Sequence, residues 1–348
     1  MTLPTPLLDS TFRPADLYED DGLHFARVTR GGDEPAPLPG VVDLAVLDMH
    51  HGFPNLGHES IVDTLLAVAR DERARLGKRA PGIRVVSFDV RRGLAVPVDS
   101  SRYPLAVGTG GPGALDPREN DGLSAESQGV CEDPFWEAPL FRYFDDLLAD
   151  PELHLLGICH TFGLLCRWSH VAAPVLRGEV KGGKSTGVVG NVLTPAAREH
   201  PWFSEQWRWS RAGRIDVLDS RLYDLVPTGN GKAVRLAFEA IDGTASPGNA
   251  VTMIEMARDV EGIAPRVWGV NFHPEIGDRG LQRARLDRLA ARGEVTAAWV
   301  EERRKALDAW NASEAAERGL QRTTAFSFVE PVRRIVARLL RERTGGPS

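Results

Sequence analysis

The sequence predicts an α/β protein with a parallel sheet and helices on its faces. Three observations carry this. Two β-rich apolar runs, Val41 to Asp48 and Ile83 to Val90, have the composition of buried strands. Between them, from Glu59 to about Leu76, residues Ile61, Leu65, Leu66, Val68 and Ala69 place one apolar stripe on a helix. A third, short run, Leu105 to Val107, follows. Strand, helix, strand and strand in that order suit parallel strands joined by crossovers.

Bulk properties set limits on function. A chain of 348 residues can bury one large core or two smaller ones. Its 42% hydrophobic and 26% charged residues are those of an ordinary globular protein. The net charge of −6 argues against a general nucleic-acid binder. There is no run of about 18 apolar residues, so no membrane-spanning helix is expected. The start, Met1 to Pro6, has no basic region leading into an apolar core, so no secretory signal is expected. The three cysteines, Cys131, Cys159 and Cys166, offer no disulfide framework and suit a reducing compartment, so the expected location is the cytoplasm. No Cys/His group has zinc-ligand spacing, and neither metal nor cofactor is expected.

The remaining elements follow in chain order. Residues 1–40, rich in Pro, Asp and Gly, read as an irregular N-terminal arm. His50-His51-Gly52 and Pro54-Asn55 make a loop after the first strand. The third strand runs into Gly108-Thr109-Gly110-Gly111-Pro112-Gly113. So many glycines permit positive φ and let a ligand approach the backbone, a plain tight turn being the alternative. Residues 116–138, acidic and polar, read as a surface loop or flap with no chemistry assigned. Phe141, Phe144, Leu147 and Leu148 mark a helix ending near Asp150.

Leu155-Leu156-Gly157-Ile158-Cys159 reads as a buried strand ending in a sharp turn. Phe162, Leu164, Leu165 and Trp168 then lie on the helix that leaves it. A cysteine there sits at a helix N-terminus, whose free N–H groups and dipole stabilise a thiolate and can hold an oxyanion. This is the layout of a nucleophile elbow with Cys in place of Ser. The plainer reading is a small core residue.

Gly178 to Ser185 matches G-x-x-x-x-G-K-[ST], but the segment after it, Thr186 to Leu193, is β-like and supplies no helix for phosphates. A β-hairpin beside the cysteine helix is expected there. Trp202, Phe203, Trp207 and Trp209, with Arg208 and Arg211 among them, read as a cap on the core. Leu218 to Val226, Val234 to Phe238, Ala250 to Met256 and Arg266 to Phe272 read as further strands. From Ile276 the pattern turns helical and net basic. Val295, Trp299, Leu307 and Trp310 form one stripe, and Val332, Ile335, Val336, Leu339 and Leu340 another. These stripes dock on the main domain or on a second subunit, as in a homodimer.

A thiolate nucleophile needs a base, and the base an orienting carboxylate. His273 and Glu275, two apart at the end of a strand, supply both types. Gly110-Gly111-Pro112-Gly113, Gly157-Ile158-Cys159 and Phe272-His273-Pro274-Glu275 occur in that order. Over about residues 41–276 the chain thereby resembles the class I glutamine amidotransferase domain. The resemblance implies an open, mostly parallel, flavodoxin-like sheet with helices on both faces. It divides the chain into an arm (1–40), an amidotransferase-like domain (41–276) and a helical extension packed on it (277–348). It implies Cys159 as nucleophile, His273 as base and Glu275 as its orienter. The N–H groups of Gly111 and His160 would form the oxyanion hole, and Gly110, Gly113 and Thr161 would lie against the substrate. The reaction implied is attack on the side-chain amide of glutamine or a γ-glutamyl compound, with loss of ammonia and hydrolysis of a thioester. A small-molecule amide is the expected substrate. A synthetase or acceptor subunit on a separate chain is the expected partner, since no synthetase domain is evident.

Some positions depart from the family pattern. The family glycine two after the cysteine is Thr161, and the family glutamine four after it is Gly163. The family's Ser-His segment falls at Asp219-Ser220-Arg221, without a histidine. By the resemblance, the residues for acyl transfer are all present while those of the glutamine pocket are not. Two alternatives follow: an enzyme acting on a different small amide, or an inactive scaffold of the same fold. Cys159-His160 also resembles the intracellular-protease/chaperone family, in which the histidine after the elbow cysteine is itself catalytic. That family lacks the terminal His-Pro-Glu.

Overall fold

A computed structural model describes residues 22–344 except 78, 179–182, 211, 242–245, 292, 294 and 310–312. Its strands are β1 (Leu23–Val28), β2 (Val41–Asp48), β3 (Gly82–Asp89), β4 (Leu105–Gly108), β5 (His154–Ile158), β6 (Ala172–Leu176), β7 (Ser185–Leu193), β8 (Arg214–Arg221), β9 (Tyr223–Pro227), β10 (Val234–Ala240), β11 (Pro247–Arg258) and β12 (Pro265–Val270). Its helices are α1 (Leu56–Leu76), α2 (Val90–Gly93), α3 (Glu137–Ala149), α4 (His160–Ser169), α5 (Pro195–Glu199), α6 (Ser204–Trp209), α7 (Arg279–Ala291), α8 (Ala297–Ala309), α9 (Glu314–Thr324) and α10 (Glu330–Thr344).

One open sheet has the order β1-β3-β2-β4-β5-β12-β11-β10-β7-β8. From β1 to β12 neighbours run parallel, and from β12 to β8 they run antiparallel. β6 and β9 pair apart from it. β2 is apolar almost throughout because both faces of the sheet are covered. Val42, Leu44 and Val46 join the core that holds α1 and α10, while Ala45 and Leu47 join the core that holds α3 and α4. The expected fold class is the one observed, with helices on both faces.

α1 begins where the Asn55 side chain accepts the Gly57 N–H at 2.6 Å. It lies between the sheet and the C-terminal helices, and this explains its burial along most of its length. Val332, Ile335, Val336, Leu339 and Leu340 of α10 share one core with Ile61, Leu65 and Leu66. From α7, Arg285 and Arg288 both reach the fully buried Asp63 carboxylate, at 2.6 and 2.8 Å. A buried carboxylate persists only when paired in this way. Leu307 is buried with Leu286, Val300 and Leu320, and Val295 and Trp299 pack against them. No helix of the described residues is long and apolar enough to cross a membrane.

Several expectations need correction. The arm over 1–40 contains an edge strand, β1, paired parallel to β3. The insertion over 116–138 does more than cover a surface: Glu132 and Trp136 are buried from it, against Arg91. The segments around Gly178 to Ser185 do not form a hairpin, since β6 pairs with β9 and β7 with β8 and β10. Leu218 to Val226 is not one strand but parts of β8 and β9, which belong to different sheets. Trp310, Arg211 and the middle of the G-x-x-x-x-G-K-S match, 179–182, lie outside the described residues.

Candidate active site

β2, β4, β5 and β12 are neighbours, and their C-terminal ends converge where an open parallel sheet presents its loops to ligands. β5 ends in Cys159, which takes φ +48° and ψ −97° as the N-cap of α4. Such a backbone is costly for a residue with a Cβ and persists only when the surroundings hold it. Here Cys159 N donates to Val270 O of β12 at 2.8 Å, and Cys159 O accepts Gly163 N at 2.9 Å. His160 opens α4, so its N–H has no acceptor one turn back in the helix.

β12 continues through Asn271 and Phe272 to His273, whose N–H donates to Leu218 O at 2.8 Å. Pro274 then starts a short turn that brings Glu275 back on the ring. His273 Nδ1 and Glu275 Oε1 are 2.8 Å apart. Cys159 lies near enough to His273 to act on its titration, and a Cβ on Gly110 would touch both side chains. Burial pushes the imidazole pKa down, but the charges of Glu275 and Cys159 and the hydrogen bond to Glu275 outweigh this and hold it well above the ordinary value. The Glu275 side chain is 1% exposed and lies beside the start of α1, where a Cβ on Gly57 would stand 2.8 Å from Oε1. The positive end of that helix favours the carboxylate. Gln282 holds the turn from behind, donating to Ser60 Oγ at 3.0 Å and Glu275 O at 3.4 Å.

The loop after β4 completes the cluster. A Cβ on Gly110 would lie 2.9 Å from His273 Cε1 and 3.5 Å from Cys159 Cβ, so glycine alone lets the loop pass this close. Gly111, Gly113, Cys159 and His160 line a cavity of about 50 Å³, with Leu115, Arg221 and Asn271 among its other walls. Arg91 anchors the loop, donating to Pro112 O at 2.6 Å and Met49 O at 3.0 Å. It also meets both oxygens of Glu132, at 2.6 and 2.7 Å, and neither side chain is exposed.

Two other histidines border the site. Burial, then the charge of Arg91, hold His160 well below the ordinary imidazole value. Burial likewise pushes His50 to about 4. Both rings are therefore neutral at pH 7, and the Nε2 of each is buried without a partner among the described residues.

The structure brings Cys159, His273, Glu275, Gly111, Gly113 and His160 to one end of the sheet. Gly110 and Thr161, expected against the substrate, do not line the cavity. Gly110 is a spacer against His273, and Thr161 is fully buried with its hydroxyl donating to Thr109 O at 2.8 Å. The departure at Gly163 has a physical counterpart: a Cβ there would stand 2.5 Å from Leu115 Cδ1, so Leu115 occupies the space a longer side chain would enter.

The sequence reading missed His50, Arg91, Leu115, Lys184 and Asn271, and saw in Arg221 only a missing histidine. His50 and Asn271 lie just past the ends of β2 and β12, and their place was the available signal. Lys184, from the phosphate-loop-like run, lines the cavity instead. A larger groove of about 930 Å³, lined by Arg27, Asp48, His58, Asp89 and Arg92 among others, does not include Cys159. Among the described residues no group of three or more His, Cys, Asp or Glu is placed to hold a metal ion.

Fold and site together define an open α/β protein with a cysteine, a histidine and a glutamate gathered at the C-terminal edge of its parallel strands. No protein-family model and no curated protein sequence matches the chain. Among solved structures it is similar to a glutamine amidotransferase from Methylobacillus flagellatus, at 11% identity over 84% of this chain and 95% of that one, TM-score 0.45. It is also similar to the glutaminase domain of Trypanosoma brucei CTPS with bound acivicin, at 10% identity over 68% and 86%, TM-score 0.39. A third is a Thermoplasma acidophilum protein provisionally assigned as one component of a GMP synthase, at 16% identity over 72% and 96%, TM-score 0.39. At these identities and scores the likeness says nothing of activity.

Proposed function

We propose that this chain is a cysteine-dependent amide hydrolase. Its substrate is a carboxamide, of the glutamine or γ-glutamyl type or smaller, and a thioester forms on Cys159. The Cys159 sulfur attacks the carbonyl carbon while the N–H groups of Gly111 and His160 hold the oxyanion. His273 gives its proton to the departing ammonia and then takes one from the water that cleaves the thioester. Glu275 binds His273 Nδ1, leaving the other ring nitrogen for sulfur and water. Ammonia leaves to solvent or to an acceptor protein on a separate chain, in the cytoplasm.

One observation carries this reading. A thiol on a φ +48° elbow lies beside an imidazole whose Nδ1 is 2.8 Å from a buried carboxylate. His160 fits the role of base less well, because burial holds its ring well below the ordinary imidazole value and no carboxylate is paired with it among the described residues. The test is ammonia release from glutamine and a panel of small amides by wild type and Cys159→Ala. Loss of release in the variant, with a thioester trapped on Cys159 by mass spectrometry, is the expected result. Equal rates would end the reading. Thiol alkylation unchanged by His273→Ala would move the base to His160, and an inert Cys159 in wild type would leave only a scaffold.

A further inference from the structure

We infer that the substrate carries a carboxylate near its amide, held by Arg221 and Asn271, and that it is a short monoamide of a dicarboxylic acid and not glutamine. This deepens the amide-hydrolase reading and rests on it.

Arg221 and Asn271 line the same cavity as Cys159, Gly111 and His160. They are 5% and 3% exposed, and Arg221 Nη1 and Asn271 Nδ2 are buried without a hydrogen-bond partner among the described residues. Unpaired buried donors are costly and uncommon, and a charged one more so. Both residues line one cavity beside a nucleophile, and two spare donors on them are suited to acceptors that arrive with a ligand.

The guanidinium is held in place from its other side. Arg221 Nη2 donates to Glu239 Oε2 at 2.8 Å, and its Nε lies 3.2 Å from Asp219 Oδ2 and 3.5 Å from Asp224 Oδ1. Arg177 pairs with the same Asp224 at 2.8 Å, and Ser185 Oγ donates to Asp219 Oδ2 at 2.6 Å. The acidic groups are thus engaged behind Arg221. Asp219 Oδ1 is also unpartnered, but Asp219 does not line the cavity. Asn271 is fixed through its backbone, donating to Thr252 O at 2.8 Å. Carboxylate oxygens accept from a guanidinium and an amide together, which a neutral amide tail does less well.

Charge, and the shallow space at the site, disfavour glutamine. A cavity of about 50 Å³ is small against the roughly 300–1,000 Å³ of ordinary ligand pockets. Leu115 closes the space beside Gly163. The ammonium of an amino acid would face Arg221 and Lys184, both lining residues. A carboxylate without an ammonium brings no like charge to these two cations.

The test separates binding from chemistry. The Cys159→Ala chain is titrated calorimetrically with succinamate, glutaramate, the neutral diamide succinamide, and glutamine. At least one monoamide should bind ten or more times tighter than succinamide and glutamine. Asn271→Ala and Arg221→Lys, each added to Cys159→Ala, should weaken that monoamide about tenfold or more and leave succinamide unchanged. Should Arg221→Lys lower the melting temperature sharply, Asn271→Ala carries the comparison alone. Binding of succinamide or glutamine as tight as the monoamide, no binding of either monoamide, or no effect of Asn271→Ala would overturn the inference. Wild-type turnover of a monoamide tests the hydrolase reading separately: turnover that survives Cys159→Ala sinks that reading and leaves the binding comparison standing.

Discussion

Removing the Arg91 guanidinium should weaken the fold and slow the reaction by one cause. Arg91→Met leaves the Glu132 carboxylate, whose side chain has no exposure, with Asn120 Nδ2 at 2.6 Å and Trp136 Nε1 at 3.2 Å as its remaining donors. Breaking one side of a buried ion pair costs about 3–5 kcal/mol. Met49 O and Pro112 O each lose a donor as well, for roughly 1 kcal/mol apiece. Set against a total stability of about 5–15 kcal/mol, this is a third or more. Urea unfolding followed by tryptophan fluorescence reads it directly. The double replacement Arg91→Met/Glu132→Met removes both charges and should fall short of the summed single effects by about 2 kcal/mol or more. The loop carrying Gly111 loses its anchor at Pro112, so kcat/KM should drop more than tenfold at denaturant-free conditions where the protein is still folded. A cost below about 1 kcal/mol for Arg91→Met, the range of solvated surface pairs, would refute the argument.

Burial holds His154, like His50, at about 4. Unfolded, each takes up a proton near pH 6.5, so the unfolded chain binds more protons and stability falls as pH drops from about 6.5 towards 4. His154→Gln should reduce that slope by up to about 1.4 kcal/mol per pH unit in chemical denaturation, and an unchanged slope contradicts it. His273 acts in the opposite sense. Its raised value gives stability that is complete below about pH 6.5 and is lost as pH rises through the folded value, so His273→Gln should flatten the alkaline side. Gly110→Ala places a methyl 2.9 Å from His273 Cε1 and should cut kcat/KM at least tenfold under conditions where the variant is still folded; a retained rate would show that the close approach is dispensable.

Much of the frame was readable because its signals are local. β2 coincides with the run from Val41 to Asp48, and β3 and α1 fall within a few residues of their expected bounds. The bend at Cys159 was readable because a strand pattern abuts a helix pattern there. What escaped depends on partners far apart in sequence. Arg91 reads as a surface cation until it meets Glu132, 41 positions away. Gly163 stood out only as a departure and Leu115 not at all, and their contact appears only when α4 packs on the loop after β4. β1 was hidden because its pairing lies with β3 and its neighbours in the chain are turn formers. Thr161 looked like a substrate contact because of its place after the cysteine, but its hydroxyl serves the neighbouring backbone.

The packing of α10 against α1 has a bearing on how the molecule is made. Synthesis runs from the N-terminus, so α1 and the strands beneath it leave the ribosome long before Glu330–Thr344 does. Until then the flank formed by Ile61, Leu65 and Leu66 lacks its cover, and the nascent polypeptide presents an oily strip to any chaperone nearby. Translation that stalls short of residue 330 would leave that strip bare in the released fragment.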